Sequence, residues 1–479
     1  MSKFKKIATL GFGSGVNILV NFLFLPYMAR VLNYNDYGSY GQTLLIVTFA
    51  ASILSFGLPQ IIYVYLNKEE SSKNVISSNF YAALTLGLIG FLLLAFSSSF
   101  FASWLNNPSL KSLLFIFAFS LPLSLPYLSI NSFLIFQNRV KLSASLAVIT
   151  NLIKVVLVIV AIQLYGSIYL AFLGILTSQL TQLILGLFFV RKQLIMKIDK
   201  KLFFGQLKKG FPLGLTGLLG AGILYMDGIM VSKIEGIEAY AIYRNGAIEV
   251  PFISTIYASI AAIILPEVSK LFNLKKFKEI IELKKKVIMN TMMLTYPILV
   301  FLLFNANDLI IIYLGEKYEA SAIIFAIFNL SLLIRVNDYH DILVAANQPK
   351  YILYFYTIVF ILNLILNYFF ISLFGSVGAA YSTVISLLVF SFLHLFKSAS
   401  TVKGSIIDFI DFKKLALLLF ISFTIATILN LSISCFFKNE ARLILFTTLF
   451  FPTVYFMLIK FNLISKGIIS HLVPKKFRA

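Results

Sequence analysis

The stretch RVNDYHDIL, residues 335 to 343, puts Arg335, Asn337, Asp338, His340 and Asp341 inside an otherwise apolar run from Ala320 to Ala346. Lys154, Asp227, Arg244 and Glu249 fall inside other long apolar stretches in the same way. Each Arg, Lys or Asp facing lipid at mid-helix costs about 2.5–3.5 kcal/mol, and the whole set would cost on the order of 15–20 kcal/mol. These side chains must therefore face protein or water. A guanidinium in a water-filled cavity is a bidentate ligand for phosphate, which assigns Arg335 and Arg244 to an anionic head group, with Lys154 lining the same cavity. A deep carboxylate without a cation nearby takes up a proton or binds sodium, which makes Glu249 the first candidate for ion coupling, with Asp227 and Asp338 next in line. Structural alternatives stay open: an Arg335–Asp338 pair with Asp341 and His340 reaching toward cytoplasmic water, an Asp227–Arg244 pair, and a neutral, hydrogen-bonded Glu249. Arg244 and Glu249, five residues apart on one helix, would stand about 140° around it, which is awkward for a direct pair.

The elements that must position these groups follow from composition. The 479 residues are 59% hydrophobic and 12% charged, and the mean hydropathy is +0.93, whereas a soluble domain is about 25% charged. This composition belongs to an all-α polytopic membrane protein. A spanning helix needs about 20 apolar residues, and about 14 stretches meet that length. They lie near 7–31, 38–66, 76–103, 110–136, 141–165, 168–190, 210–233, 238–268, 287–314, 319–345, 350–373, 376–396, 413–434 and 441–464. The connections are too short to hold a soluble domain. The outer ones, NYNDYGS, WLNNPSLK, EGIE and GEKYE, are too short to carry catalytic acids, so an enzyme is not expected.

The net charge of +21 does not point to nucleic acid. With the N-terminus inside, roughly three-quarters of the Lys and Arg fall on the cytoplasmic side, and both termini are cytoplasmic. The runs RKQLIMKIDKKLFFGQLKK (191–209) and KLFNLKKFKEIIELKKK (270–286) read as topology determinants resting on anionic lipid. The opening MSKFKKIATLGFGSG reads as the start of the first span, because its apolar run continues through Asn17, Asn21 and Pro26 without a cleavage site. The single cysteine, Cys435, excludes an internal disulfide. Three scattered histidines, His340, His394 and His471, suggest no metal site, and no cofactor is expected.

The chain also repeats itself. LYGSIYLAFLGILTS (164–178) aligns with LFGSVGAAYSTVISL (373–387), GLPQIIYVYLNK (57–68) with ILPEVSKLFNLK (264–275), and YNDYGSY (34–40) with IEAYAIY (237–243), in one order and at a nearly constant offset. This gives two six-helix bundles, 1–195 and 210–400, joined by a basic linker at 196–209 and followed by two further helices and a basic tail in 401–479. Parallel repeats place a cavity between halves that rock against each other. Gly15 and Pro26 in the first span and Pro212 and Gly217 in the seventh are candidate gating hinges, though Gly11 and Gly15 also form a GxxxG packing motif.

The segments NFLFLPYMARVLNYNDYGSYG (21–41), YMDGIMVSKIEGIEAYAIY (225–243), LPEVSKLF (265–272), and ANQPK followed by LFGSVGAAYST carry a further signal. On them the chain resembles the O-antigen and capsule-repeat flippases of the multidrug/oligosaccharidyl-lipid/polysaccharide exporter superfamily. The resemblance implies a two-lobed, 14-helix protein of the bacterial cytoplasmic membrane. It would turn undecaprenyl-diphosphate-linked oligosaccharides from the inner to the outer leaflet by alternating access, driven by a proton or sodium gradient or by membrane potential. It would share membrane lipid, and possible work with a polysaccharide polymerase, with that family. In the related peptidoglycan-precursor flippases, arginines on the first, second and eighth spans face the cavity. Arg244 matches the eighth, Arg30 on the first lies far outward, and the second span has no Lys or Arg. That departure weighs toward a sugar repeat unit. The competing reading is a cation-coupled multidrug antiporter of the same fold, for which Asp227, Glu249 and Asp338 would form an acidic pocket.

Overall fold

The computed structural model describes residues 3–67, 71–196, 198–251, 253–335, 340–437, 439–461 and 463. Asp338 and Asn337 lie outside the described residues. The regular structure described is helical throughout. In chain order α1 is Lys3–Val31, α2 Tyr34–Leu54, α3 Leu58–Leu66, α4 Ser72–Trp104, α5 Ser109–Phe117, α6 Ser120–Phe136, α7 Val140–Tyr165, α8 Ile168–Val190 and α9 Lys200–Ile234. Then come α10 Ile237–Gly246, α11 Ile253–Asn273, α12 Phe277–Leu314, α13 Ser321–Asn329, α14 Asp341–Ala345, α15 Pro349–Phe374, α16 Ser376–Thr401, α17 Phe412–Ser434 and α18 Asn439–Lys460. Among the described residues, 13 helical segments are long and apolar enough to cross a membrane, and a shorter apolar helix, Ser321–Leu333, stands where the tenth span was expected. The chain is thus an all-α, multi-pass membrane protein.

Several boundaries differ from those the hydrophobic pattern predicts. The Asp199 side chain caps α9 by accepting from the backbone N–H groups of Lys201 and Leu202 at 2.9 and 3.1 Å, so most of the stretch read as a linker is helix. The basic run before the ninth span is likewise helical, because α12 begins at Phe277. The second span is two helices, α2 and α3, separated by a turn in which Phe56 and Gly57 have φ of 47° and 65°. Gly57 serves both the left-handed backbone and a close approach, since a Cβ there would meet the Gly210 carbonyl oxygen at 2.7 Å.

The helices pack into two compact units, Met1–Arg244 with Asn367–Ala379, and Asn245–Leu366 with Ala380–Ala479. In the first, Ile62, Val75, Ile76, Ile130 and Phe133 form part of a buried apolar core, and α9 runs beside α2, α3 and α4. Buried amides fasten it at both ends. The Asn79 Nδ2 donates to Gln206 Oε1 at 2.5 Å, and Gln206 Nε2 to the Val75 carbonyl at 3.1 Å. Farther along, Gln42 Nε2 donates to Ser232 Oγ at 2.5 Å, and Asn107 Nδ2 to Gln42 Oε1 at 2.6 Å. Away from water such bonds hold helices that apolar contact alone would not select.

In the second unit α12 carries two buried ion pairs. Lys284 Nζ lies 2.6 Å from Asp341 Oδ2, with the two side chains 1% and 6% exposed. This corrects two expectations. Lys284 leaves the solvated basic run because the early start of α12 puts it on a buried face, and Asp341 turns inward to meet it instead of reaching cytoplasmic water. At the other end Arg442 of α18 pairs with Asp308 of α12 and donates to Asn430 Oδ1 of α17 at 2.7 Å. Breaking a buried pair by removing one partner costs about 3–5 kcal/mol, whereas replacing both by apolar residues is often neutral. Lys284→Met or Asp341→Leu alone should therefore lower the unfolding temperature in detergent sharply, and the double variant should recover most of it. Equal loss in the single and double variants would mean that the pair is not the source of the stability.

Candidate functional site

The eighth and tenth spans, expected as continuous helices over 238–268 and 319–345, are both broken. After α10 the chain is non-helical through residues 247–251, and α11 starts at Ile253. Pro251 offers no N–H and disfavours helix at Val250, and Gly246 ends α10. Gly246 is also a point of close approach, because a Cβ there would run into the Ile324 side chain and the Ser321 carbonyl. In the tenth span α13 tightens into a 3-10 turn, Leu330–Leu333, the chain turns at Ile334 and Arg335, and α14 begins only at Asp341. Of the polar cluster in the RVNDYHDIL stretch, Arg335 and His340 thus stand in turns and Asp341 opens α14.

Backbone that leaves the helix within a membrane needs partners from neighbouring protein, and side chains supply some of them. Asn329 Nδ2 donates to the Ile248 carbonyl at 3.2 Å and, within α13, to the Phe325 carbonyl at 2.8 Å, so a side chain of the tenth span serves the interruption of the eighth. Tyr296 on α12 donates its hydroxyl to the Leu333 carbonyl at 2.7 Å.

Between these interruptions Arg335 forms an ion pair with Glu249. The expectation that Glu249 has no cation is therefore corrected: the cation comes from another span, where no intrahelical argument can find it. The break also removes the geometry in which Arg244 and Glu249 share a helix. The paired side chains keep 35% and 29% exposure, so the pair is reachable from open space. Its chemistry is that of a guanidinium fork engaged by a two-oxygen acceptor.

The remaining candidates lie elsewhere. Asp227 is 2% exposed on α9. Its Oδ1 accepts from Asn367 Nδ2 of α15 at 2.6 Å, and its Oδ2 from the Tyr243 hydroxyl of α10 at 3.1 Å. The Arg244 guanidinium lies over the rings of Tyr37 and Tyr40, 5.0 and 5.6 Å from their centroids, in a cluster with Gly41 and Tyr240. The tyrosines Tyr37 and Tyr40 are only 1% and 5% exposed, which gives Arg244 an aromatic bed as well as a charge. Lys154 donates to Asn21 Oδ1 at 2.8 Å, joining α7 to α1. On the same two helices Asn17 Oδ1 and Asn151 Nδ2 are buried without a hydrogen-bond partner. The rings of His340 and His394, far apart in sequence, approach to 5.9 Å. Gly15 and Pro26 lie inside α1, and Pro212 and Gly217 inside α9, and both helices run through them unbroken. Among the described residues the backbone interruptions are in the second, fourth, eighth and tenth spans instead. Residues missed on the sequence were the uncharged amides: Asn329, Asn367 and Gln42 each stood as a polar residue in an apolar run, a signal a search for charge passes over, and Gln206 stood within the basic run 191–209.

A family model described as "Polysaccharide biosynthesis protein" matches residues 4–272, more than half of the chain. The chain belongs to the polysaccharide biosynthesis protein family. Among relatives of this family member is an uncharacterized membrane protein, MJ1068, of Methanocaldococcus jannaschii, 23% identical over 408 residues that cover 78% of this chain and 80% of the relative. Its fold is similar to that of the lipid II flippase MurJ in an inward closed conformation, with a TM-score of 0.73, 19% identity, and coverage of 96% of this chain and 99% of MurJ. An inward-facing multidrug resistance MATE family transporter of the MOP superfamily is also similar, with a TM-score of 0.63, 12% identity, and coverage of 81% and 94%. At these identities the likeness concerns the fold.

In this member of the family Arg244 is held by aromatic rings, so part of its role is packing. Arg244→Met should reduce the stability in detergent by about 1–2 kcal/mol, the size of a desolvated cation–π interaction. Unaltered thermal unfolding combined with lost export would return Arg244 to the ligand cavity.

Proposed function

We propose that this protein turns diphosphate-linked oligosaccharides from the inner to the outer leaflet of the cytoplasmic membrane by alternating access, for the assembly of surface polysaccharide. The observation that carries the reading is Arg335: a guanidinium in a broken membrane span, a third exposed, presented across a second broken span. Discontinuous helices that bring charge to mid-membrane are how secondary transporters build ligand sites, and a fork of N–H donors suits a diphosphate better than a sugar or an acyl chain. Family membership supports a polysaccharide precursor, and the MurJ-like fold is compatible with a lipid-linked one. The antiporter reading loses support because Glu249, which would have attracted a cationic drug, is engaged by Arg335.

In this proposal the halves that rock are the repeats 1–195 and 210–400, and the ion that couples is held at Asp227, whose carboxylate oxygens already collect donors from α10 and α15. Lys154 would line the cavity on the first half. A polymerase acting on the outer face would consume the flipped product.

A strain lacking the protein should accumulate lipid-linked saccharide in the inner leaflet and gain no drug sensitivity. Drug sensitivity without such accumulation would favour the antiporter. In reconstituted vesicles Asp227→Asn should retain substrate binding while export ceases to respond to the proton or sodium gradient. A parent-like response to both gradients would move the coupling site away from Asp227.

A further inference from the structure

Three ion pairs that join distant parts of the second unit's sequence are built from similar groups but differ in access. Lys284–Asp341 is 1% and 6% exposed, and Arg442–Asp308 is 14% and 11% exposed. Arg335–Glu249 is 35% and 29% exposed. The first two close the packing of α12. Arg335–Glu249 lies between backbone interruptions that other bonds also hold: Asn329 to the Ile248 carbonyl, and Tyr296 to the Leu333 carbonyl. Opening the ion pair leaves the Tyr296 tie in place, and Asn329 keeps its bond to the Phe325 carbonyl at 2.8 Å when the Ile248 carbonyl moves away.

A carboxylate and a phosphate present the same pair of acceptor oxygens to a guanidinium fork. We infer that Glu249 occupies Arg335 as an internal stand-in for the phosphate of the substrate, and that an incoming diphosphate head group displaces it. The inference rests on the proposed diphosphate-linked substrate and adds what the empty carrier does with its cation. While Glu249 is in place, the site carries no net charge, and a lone guanidinium is not left to find another partner in the membrane. A diphosphate brings more negative charge than one carboxylate and wins the fork. Glu249 then moves off with its non-helical segment, residues 247–251, which is short of helical bonds and so is the part of the eighth span freest to rearrange. Displacement would link occupancy of the site to the conformation of that span, because a ligand shifts a protein only by binding its two states unequally. A neutral lipid lacks the means to compete.

The test uses the purified full-length protein in detergent, with geranylgeranyl diphosphate as the probe and geranylgeraniol as its neutral counterpart. Removing the internal competitor should tighten binding: Glu249→Gln is expected to bind the diphosphate at least about tenfold more tightly, the low end of couplings between close charge pairs. Arg335→Gln should abolish the preference for diphosphate over the alcohol. A pair that only braces the fold would make Glu249→Gln less stable and no tighter a binder, and unchanged or weaker diphosphate affinity overturns the inference. Should Glu249→Gln fail to fold, Ala247→Cys with Cys435→Ser decides: a maleimide should label position 247 faster when the diphosphate is added and not when the alcohol is. Equal labelling under both overturns it. These readouts concern binding alone, so a deletion strain without accumulated lipid-linked saccharide would end the transport reading while leaving the exchange at Arg335 to stand or fall by them.

Discussion

Inside hydrocarbon a peptide group has no water to bond, so a chain can leave the helix there only where neighbouring protein supplies partners. The arrangement of this protein's polar residues follows from that constraint. Where the eighth and tenth spans unwind, Asn329 reaches the carbonyl of Ile248 and Tyr296 that of Leu333. Their donors allow Glu249 and Arg335 to stand on non-helical backbone, and such backbone can place a side chain in directions that a helix face does not offer. The cost of the charges themselves is lowered in the same place, because each is the other's counter-ion.

Exposure separates the charges into two kinds. Lys284–Asp341 is shut away and joins the foot of the broken tenth span to α12. Such a pair gains little over well-packed apolar residues, but losing one member leaves an uncompensated charge, so it specifies an arrangement more than it adds stability. The half-open Arg335–Glu249 pair has neither the sealing nor the packing of a brace. Its partial exposure screens the attraction more than burial would, which is the condition that the proposed exchange with another anion requires. What separates the two kinds of pair here is therefore their surroundings, since the residue types are similar.

Much of the fold could be read from hydrophobic run length, because hydrocarbon thickness sets one requirement that every span meets separately. The spans from α4 to α8 and from α15 to α18 follow the predicted stretches closely. Interruptions were harder to see. Gly57 and Pro251 are local signals for a break, but the tenth span turns without a proline or glycine between Ala320 and Ala346, and the bond that meets its turn, from Tyr296 to the Leu333 carbonyl, comes from another element. The site was legible in its residue types and not in its pairings. Helical spacing compares a residue only with neighbours three or four places away, so it offered Asp338 to Arg335 and could not offer Glu249, while Asp227 and Arg244 were matched only by their places near the outer ends of successive spans. Lys284 was hidden for a different reason: a lysine in a basic run at a helix end looks like every other topology signal until the register of α12 turns it inward. The amides were missed because a carboxamide costs less to bury than a charge, and Asn329 stands out only once the carbonyls it serves are known to lack helical bonds.

The helix ends at the two interruptions suit the charges placed there. Arg335 follows the C-terminal end of α13 and its 3-10 extension, where the aligned peptide dipoles leave partial negative charge; Glu249 precedes the N-terminal end of α11, where they leave partial positive charge. Each side chain thus has a favourable backbone field in addition to its partner, worth about 0.3–1 kcal/mol at an exposed helix end and more where water is scarce. Consequently neither charge depends wholly on the other. In the proposed exchange Glu249 would remain on the segment before α11, and Arg335 on the turn after α13, while Arg335 receives an anion. A buried pair such as Lys284–Asp341 has no comparable reserve, because separating it exposes two charges to a dry interior. The broken spans therefore do more than expose backbone: they supply the fields that make an opened ion pair tolerable in the membrane.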